Sequence, residues 1–208
     1  MDSRVLEILQ KVGAFRSGHF VFTSGLHADT YVNKDAIYLY TRETSQLCRS
    51  MAERFADAGI EVVVGPAVAA AILAQWTAHH LSDITGRDVY AAYADKDGHD
   101  GFVLRRGYDA IVKGRKTLVV EDLTTTGGSI RKVVEAVRAA RANIVGAIAI
   151  CNRGDVKASD AGNPPVLDAL LTVQLEQWPA DACELCKRGI PVNTDIGHGK
   201  EFLAQKGS

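Results

Sequence analysis

Two adjacent carboxylates followed by hydroxyl and glycine residues make segment 118–129 the part of the chain best suited to chemistry. An apolar run reaches Glu121 and Asp122, and the residues that follow are Leu123, Thr124, Thr125, Thr126, Gly127, Gly128 and Ser129. Glycines let a backbone approach a ligand closely, and threonine hydroxyls add hydrogen-bond donors. A helix that begins here would direct free N–H groups and a positive dipole end toward a phosphate. The two carboxylates would repel a phosphate, so they suit the vicinal hydroxyl groups of a ribose instead.

The same segment has a plainer interpretation, a helix cap that follows acidic residues at a strand end. The length of the whole pattern, from apolar strand through carboxylates to glycines, favours a binding site over a cap alone. The two commoner phosphate-binding patterns are absent from the sequence. No G-x-x-x-x-G-K-[ST] segment occurs, and no G-x-G-x-x-G follows an apolar strand. A P-loop nucleotide hydrolase and a dinucleotide-binding fold are therefore disfavoured.

Apolar segments that alternate with helical patterns predict the elements that position this site. Such alternation is typical of an α/β fold with a central parallel sheet flanked by helices. The predicted strands are residues 61–64, 88–92, 117–120 and 144–151, with 167–175 as an edge strand, and the predicted helices are 5–12, 42–58, from the turn at 65–66 to 80, and 128–141. Because ligands collect at the carboxyl ends of strands in such sheets, Glu121 and Asp122 are expected at that edge.

Two further stretches do not follow the alternation. Residues 18–40 carry alternating apolar side chains around a turn at 24–27, which predicts a short hairpin. Residues 94–107 are polar and include Gly98, Gly101 and Gly107, so they are predicted to form a long mobile loop.

Length and composition indicate a soluble enzyme with a single domain. The chain has 208 residues, of which 47% are hydrophobic and 24% charged, values ordinary for a globular protein. A net charge of −1 and the lack of a basic run argue against a nucleic-acid partner. No apolar stretch approaches the ~18 residues that span a bilayer, and residues 1–4 do not resemble a signal peptide. We therefore expect no membrane partner and a cytoplasmic location.

The four cysteines are too few for a disulfide scaffold in a chain of this length. Cys48 and Cys151 lie among apolar residues, which predicts buried thiols. Cys183 and Cys186 have the spacing of half a zinc site, which His198 or a partner subunit could complete. Because the sequence has no second cysteine pair, a reduced pair at the surface is the favoured interpretation.

The pattern from Val119 to Ser129 resembles the phosphoribosyl pyrophosphate signature of type I phosphoribosyltransferases. The resemblance implies that Glu121 and Asp122 bind the ribose 2′- and 3′-hydroxyls and that the following loop binds the 5′-phosphate. It also implies the fold of that family, a single phosphoribosyltransferase domain over residues 1–208. Its parts would be a small N-terminal hood (mainly 1–40), a core (about 41–175) and a C-terminal tail (176–208).

Segments outside the signature are similar to orotate phosphoribosyltransferases. Residues 18–34 are similar to the hood of those enzymes, and residues 103–108 and 183–191 are similar to one bacterial branch of them. The acceptor implied by this resemblance is orotate, and the donor is phosphoribosyl pyrophosphate.

Five residues are implied to hold the base. Arg153 would bind the orotate carboxylate, since a planar guanidinium donates two hydrogen bonds to a carboxylate. Thr125 would contact the base from the signature loop, and Ser24, Gly25 and Tyr31 of the hood would close over it. Arg153 could instead be a solvent-facing arginine at a strand end.

The implied reaction displaces pyrophosphate from the sugar C1 atom by a ring nitrogen of orotate. Mg²⁺ is the implied cofactor, held by substrate oxygens and water rather than by protein ligands. Asp122 would favour the positive charge that develops on the sugar. Residues 94–107 would close as a lid and reach the neighbouring site of a homodimer. This lid supplies Lys96 as the leaving-group cation, His99 as a possible proton donor and Arg105 as a substrate-binding residue.

The chain departs from the family pattern at three positions. Thr23 stands where some orotate enzymes have a lysine, and Ala69 and Ala70 stand where a glycine pair or a lysine is common. Two alternatives therefore stay open. One is a phosphoribosyltransferase for another base, which would not need Arg153, and the other is a non-catalytic regulator that senses phosphoribosyl pyrophosphate and binds nucleic acid.

Overall fold

The structure, a computed structural model, describes residues 3–206. The helices are α1 (Ser3–Lys11), α2 (Thr41–Arg54), α3 (Ala69–Thr85), α4 (Tyr108–Val112), α5 (Gly128–Ala139), α6 (Glu184–Lys187) and α7 (Gly199–Lys206). The strands are β1 (Phe15–Val21), β2 (His27–Val32), β3 (Val62–Pro66), β4 (Tyr90–Lys96), β5 (Phe102–Val103), β6 (Lys116–Thr124), β7 (Asn143–Asn152), β8 (Leu167–Thr172) and β9 (Gln177–Trp178). Two short 3₁₀ helices, Lys34–Leu39 and Ala56–Ala58, flank α2.

Six strands form the central sheet, in the order β5-β4-β3-β6-β7-β8. The strands β4, β3, β6, β7 and β8 pair in parallel, whereas β5 pairs antiparallel with β4. The predicted α/β fold with a helix-flanked parallel sheet is confirmed, with one correction: the sheet is mixed, because an antiparallel strand is added at one edge. The predicted edge strand at 167–175 is β8.

The antiparallel edge comes from segment 94–107, which was predicted to be a loop throughout. That prediction is wrong for residues 94–96 and 102–103, whereas residues 104–107 lie in neither a helix nor a strand. Residues 94–96 extend β4, and 102–103 form β5, so only 97–101 make the turn. Asp97 stabilises this turn, because its Oδ1 accepts the backbone N–H groups of His99 and Gly101 at 2.8 and 3.1 Å. The polar, glycine-rich composition that predicted a loop is equally that of a tight hairpin.

Helices cover both faces of the sheet, which explains why its strands are apolar on both sides. On one face, α1, α2 and α3 pack against Val63, Leu118 and Ile148. On the other, α4 and α5 pack against Val62 and Val119. Successive strand residues alternate between these two cores, as the two-residue period of a strand requires. The carboxyl edge of this covered sheet presents the segment 121–129.

A second, three-stranded sheet of order β1-β2-β9 forms the hood. The predicted hairpin within 18–40 is confirmed as β1 and β2, and its turn at 22–26 is closed by a hydrogen bond from Phe22 N–H to Leu26 O at 2.9 Å. The third strand, β9, comes from the tail and pairs with β2 through His27↔Trp178. The tail therefore belongs physically to the hood sheet.

Element bounds differ from the predictions where tertiary contacts decide them. Strand β6 continues four residues past Val120, so both signature carboxylates lie within the strand. Helix α3 begins at Ala69 rather than at the Gly65-Pro66 turn, because Pro66 still belongs to β3, and it ends at Thr85, before Gly86 in the left-handed conformation. Within residues 3–206, no helix combines the length and the apolar composition that crossing a membrane requires.

Candidate active site

The signature loop joins β6 to α5 and is positioned by a glycine at the helix start. Gly127 has φ +77°, and a Cβ on it would lie 2.8 Å from the Asp160 carbonyl oxygen. Only glycine fits both this conformation and this contact. Helix α5 begins at the next residue, Gly128, as predicted. The loop 125–127 thus meets the N-terminus of a twelve-residue helix at the carboxyl edge of the sheet.

Both signature carboxylates are buried and hydrogen-bonded. Asp122 is 3% exposed; its Oδ2 accepts the Tyr38 hydroxyl at 2.7 Å and lies 3.1 Å from Lys34 Nζ. Glu121 is 4% exposed; its Oε2 accepts the Ser129 hydroxyl at 2.7 Å, and its Oε1 accepts the backbone N–H of Asp122. Each carboxylate is therefore held in a fixed orientation by donors from the hood side or from the loop.

The electrostatic balance differs between the two acids. Burial, together with the neighbouring charge of Asp122, raises the pKa of Glu121 to about 7. Burial and the Asp122 charge also raise the pKa of Tyr38, which keeps its hydroxyl protonated as a donor to Asp122. Asp122, by contrast, has a direct ammonium partner, since Lys34 Nζ lies 3.1 Å from its Oδ2.

Replacing Glu121 by Gln is expected to stabilise the fold at neutral and alkaline pH. Because the folded-state pKa of Glu121 lies above its ordinary value of 4.5, folding favours the protonated acid. Its contribution to stability is complete below pH 4.5 and is lost as pH rises through about 7. The Gln side chain keeps a neutral acceptor for Asp122 N–H and can accept or donate at Ser129. We expect a gain of about 1–3 kcal/mol in the free energy of unfolding at pH 8.

Urea unfolding at pH 4.5 and at pH 8 measures this effect, with Glu61→Gln, an exposed residue on the amino side of β3, as the control. A gain of equal size at both pH values would contradict a buried, charge-dependent origin.

One cavity, of about 360 Å³, lies between the β4–β5 turn and the start of α5. Lys96 and His99 line it from the turn, and Gly128 and Ser129 line it from the helix. The structure thus brings these four predicted site residues together, although Lys96 and His99 are both exposed to solvent. Arg105 is also exposed and lies past β5, outside the lining of this cavity. We call this space the donor cavity.

A second cavity, of about 390 Å³, lies between the hood turn and the segment after β7. It brings together the predicted residues Ser24, Tyr31, Thr125 and Arg153. Arg153 donates from Nε to the Thr125 hydroxyl at 3.0 Å, and its guanidinium lies 6.0 Å from the centre of the Phe22 ring. We call this space the base cavity.

The two cavities lie on either side of one short loop. Thr125 lines the base cavity, and Ser129, four residues later, lines the donor cavity. Of the two remaining threonines, Thr124 is buried and Thr126 is exposed. The segment after β7 packs tightly on this loop: a Cβ on Gly154 would lie only 1.7 Å from Thr125 O. Only glycine therefore allows Arg153 to approach the loop from that side.

Comparison with known proteins identifies the family to which this chain belongs. A family model described as the phosphoribosyl transferase domain matches residues 36–179. The orotate phosphoribosyltransferase of Caldanaerobacter subterraneus is 37% identical over 189 residues, covering 91% of this chain and 94% of that protein. The orotate phosphoribosyltransferase of Pelotomaculum thermopropionicum is 38% identical, covering 90% of this chain and 93% of that protein. The chain belongs to the orotate phosphoribosyltransferases.

Solved structures of orotate phosphoribosyltransferases share the fold. The Mycobacterium tuberculosis enzyme in complex with inorganic phosphate superposes with a TM-score of 0.66 at 26% identity, covering 82% of this chain and 95% of that chain. The same enzyme in complex with 5-phospho-α-D-ribosyl 1-diphosphate superposes with a TM-score of 0.62 at 25% identity, with the same coverage.

The three departures from the orotate phosphoribosyltransferase pattern lie at defined places in the structure. The Thr23 hydroxyl forms a hydrogen bond with His198 Nε2 at 2.9 Å, and both residues line the base cavity. A Cβ on Gly65 would lie 2.3 Å from the carbonyl oxygen of Ala70, so the end of β3 lies directly against the first turn of α3. Ala69 begins that helix, and the peptide bond between Ala67 and Val68, just before the helix, is cis.

Sequence reasoning missed several residues of this orotate phosphoribosyltransferase site. Lys34 and Tyr38 bond to Asp122 across 88 and 84 residues, a separation that no local spacing reveals. Gln177 and His198 reach the base cavity from the tail. The one available signal was positional, because Lys34 ends the hood segment that resembles the family.

Proposed function

We propose that the protein transfers the phosphoribosyl group of phosphoribosyl pyrophosphate to orotate, giving orotidine 5′-phosphate and pyrophosphate. The observation that carries this proposal is the arrangement of two cavities on one loop, with buried carboxylates beside it and Arg153 in the cavity on the hood side. The relatives named orotate phosphoribosyltransferase match about nine-tenths of the chain, which supports the same conclusion.

The arrangement supports a displacement at the sugar C1 atom. The loop N–H groups and the N-terminus of α5 receive the 5′-phosphate. Asp122, oriented by Tyr38 and Lys34, accepts from the ribose hydroxyls and favours positive charge on the sugar ring as the bond to pyrophosphate breaks. Orotate, held by Arg153, forms the new bond to C1 through a ring nitrogen, and the proton of that nitrogen passes to water.

Mg²⁺ is part of the proposal. When bound, it supplies a positive clamp on the pyrophosphate oxygens. The chemistry of the donor set fits, since Asp122 and Glu121 present oxygen atoms, the ligand type that Mg²⁺ prefers. Because both carboxylates already have internal partners, we place the ion mainly on substrate oxygens and water.

Lys96 is the proposed cation for the leaving pyrophosphate. It ends β4 at the rim of the donor cavity, next to the turn that carries His99. Replacing Lys96 by Ala is expected to lower kcat about tenfold to fiftyfold, less than a buried donor gives, because Lys96 is exposed here. Steady-state kinetics at saturating substrates measures the change, with Lys113→Ala, an exposed lysine after α4, as the control. An unchanged kcat in the Lys96 variant would remove it from the leaving-group role.

A homodimer is also proposed. An apolar groove of about 440 Å³ lies between α3, β4 and the start of α4. It is lined by Val68, Ile72, Trp76, Tyr93 and Tyr108. Val68 is 85% exposed and Ile72 is 42% exposed, which is unusual for aliphatic side chains gathered in one patch. The strand that supplies Tyr93 also carries Lys96, so a second copy seated in the groove would lie beside the β4–β5 turn.

Introducing a charge into this groove is expected to dissociate the dimer. Ile72→Asp should weaken dimer association at least tenfold, because burying an unpaired carboxylate in the interface costs on the order of several kcal/mol. Light scattering after size exclusion measures the mass, with Val166→Asp, an exposed valine before β8, as the control. A wild-type protein that stays monomeric at micromolar concentration would contradict the proposed dimer.

A cytoplasmic location completes the proposal. Cys48, Cys151, Cys183 and Cys186 are reduced rather than joined in disulfides, as suits a reducing compartment.

A comparison of acceptor bases tests the proposed reaction. Pyrophosphate release is measured with phosphoribosyl pyrophosphate and Mg²⁺ in separate reactions containing orotate, uracil, adenine or hypoxanthine. Release with orotate alone supports the proposal, and uracil is the matched control because it lacks the carboxylate. Release with a purine would mean another base is the acceptor. Donor binding without release for any base would instead indicate a regulator.

A further inference from the structure

Four potential metal ligands converge between the hood and the tail, away from both cavities. They are His19 of β1, His27 of β2, and Cys183 and Cys186 at the two ends of the first turn of α6. One ligand atom from each residue lies within 4.8 Å of all the others. We call these residues the hood–tail cluster. In the sequence, Cys183 lies 164 residues after His19, which it contacts, and Cys186 lies 159 residues after His27, which it contacts.

The hood–tail cluster corrects the interpretation of the cysteine pair. Both cysteines are thiols, but Cys183 is fully buried rather than at the surface. His198 does not complete the set, since its Nε2 lies at Thr23 instead. The two histidines that do face the cysteines come from the hood, and they are 1% and 0% exposed.

We propose that the hood–tail cluster is a structural zinc site of the Cys₂His₂ type. Two thiolates and two imidazoles are a complete ligand set for tetrahedral Zn²⁺, and a site with four protein ligands has no open position for catalysis.

The distances between ligand atoms fit a single ion. With Zn–N near 2.0–2.1 Å and Zn–S near 2.3 Å, tetrahedral geometry places nitrogen and sulfur ligands about 3.6 Å apart. The observed nitrogen–sulfur distances are 3.6 Å for Cys183–His19, 3.8 Å for Cys186–His19 and 3.5 Å for Cys186–His27. His19 Nε2 and His27 Nδ1 lie 2.7 Å apart. Two nitrogen atoms bound to the same tetrahedral zinc would lie about 3.3 Å apart. A bound zinc therefore replaces the hydrogen bond between the rings.

Groups around the hood–tail cluster prepare its members as ligands. His19 Nδ1 lies 2.7 Å from the Ile190 carbonyl oxygen, so Nδ1 carries the proton and Nε2 is left with a lone pair directed at the cluster. Cys183 Sγ accepts the backbone N–H of Cys186 at 3.4 Å, which holds the sulfur atom in place beside the histidines. The His27 ring packs edge-on against Phe202 of α7 at 4.6 Å, which shields the cluster from solvent.

Zinc in this position would tie the tail to the hairpin that forms one wall of the base cavity. His19 and His27 flank the hairpin turn, whose residues 22–24 line that cavity. Holding the two ends of the hairpin to α6 fixes the turn relative to the core. The site itself stands independently of which base the cavity accepts.

Metal analysis of the tag-free, full-length protein, purified under reducing conditions with zinc in the medium, tests the site. The wild type is expected to hold about one zinc per chain, and Cys186→Ser less than about a tenth of that. His79→Gln is the matched control, because His79, His80 and Asp83 form another histidine-containing group, on α3. That variant should keep its zinc. Loss of zinc in His79→Gln but not in Cys186→Ser would overturn the proposal.

Two measurements on the wild type guard against a variant that fails to fold. Replacing zinc by Co²⁺ should give the visible absorption of a tetrahedral site together with a thiolate charge-transfer band. Titration with an organomercurial should release zinc in step with the modification of two thiols. A folded wild type with no bound zinc and no cobalt spectrum would show a metal-free hydrogen-bonded cluster and would refute the site.

Discussion

Replacing Arg153 by Ala is expected to lower kcat/KM for orotate about 100- to 1,000-fold while leaving the affinity for phosphoribosyl pyrophosphate nearly unchanged. Removing one partner of a hydrogen-bonded charge pair costs about 2–5 kcal/mol. Arg153 lines the base cavity and is held there by Thr125, so its guanidinium is oriented before the base arrives. The loss should fall on the acceptor, because the donor cavity is lined by other residues.

Initial rates measured over a grid of both substrate concentrations separate these effects. Arg153→Lys keeps the charge but not the planar fork, so it should recover only part of the activity. Arg49→Ala, an exposed arginine of α2, is the control for loss of a positive charge elsewhere. An equal fall in the affinity for donor and acceptor would mean that Arg153 supports the loop rather than the base.

Replacing Asp122 by Asn is expected to lower kcat about 1,000-fold with a fold that remains intact. The amide keeps an acceptor for the Leu123 N–H and nearly the same volume, but it cannot stabilise positive charge on the sugar. It also loses the ion pair with Lys34, whose side chain is 45% exposed and can be solvated by water instead. We therefore expect a large loss of rate and a small change in stability.

Kinetics and thermal unfolding of the same preparation test both parts of this prediction. Asp168→Asn, which removes the surface partner of Arg54, is the matched control and should keep full activity. A variant of Asp122 with near-normal kcat would exclude the carboxylate from the chemistry. A Tm lowered by tens of degrees would show that the residue is chiefly structural.

Much of the candidate site could be predicted because its chemistry is local in the sequence. Strand β6, the two carboxylates, Gly127 and the start of α5 are consecutive, so their order alone places a phosphate cradle at a strand end. Arg153 could be placed because it follows the neighbouring strand β7, and parallel neighbours end at the same edge.

What could not be predicted depends on long-range pairing. Lys34 and Tyr38 reach Asp122 only because the segment after the hood hairpin folds back over the sheet edge. The antiparallel strand β5 is two residues long, too short for a periodic pattern. His19 and His27 are ordinary hairpin residues by sequence, and the tail cysteines reach them only because the tail folds back on the hood, through β9 on β2 and through Ile190 at His19.

Absorbance-monitored consumption of orotate by the purified wild-type protein, with phosphoribosyl pyrophosphate and Mg²⁺, tests the central claim most directly. The account predicts turnover that releases one pyrophosphate for each orotate consumed and that both Asp122→Asn and Arg153→Ala largely abolish. A folded protein that binds the donor but leaves orotate unchanged would contradict it.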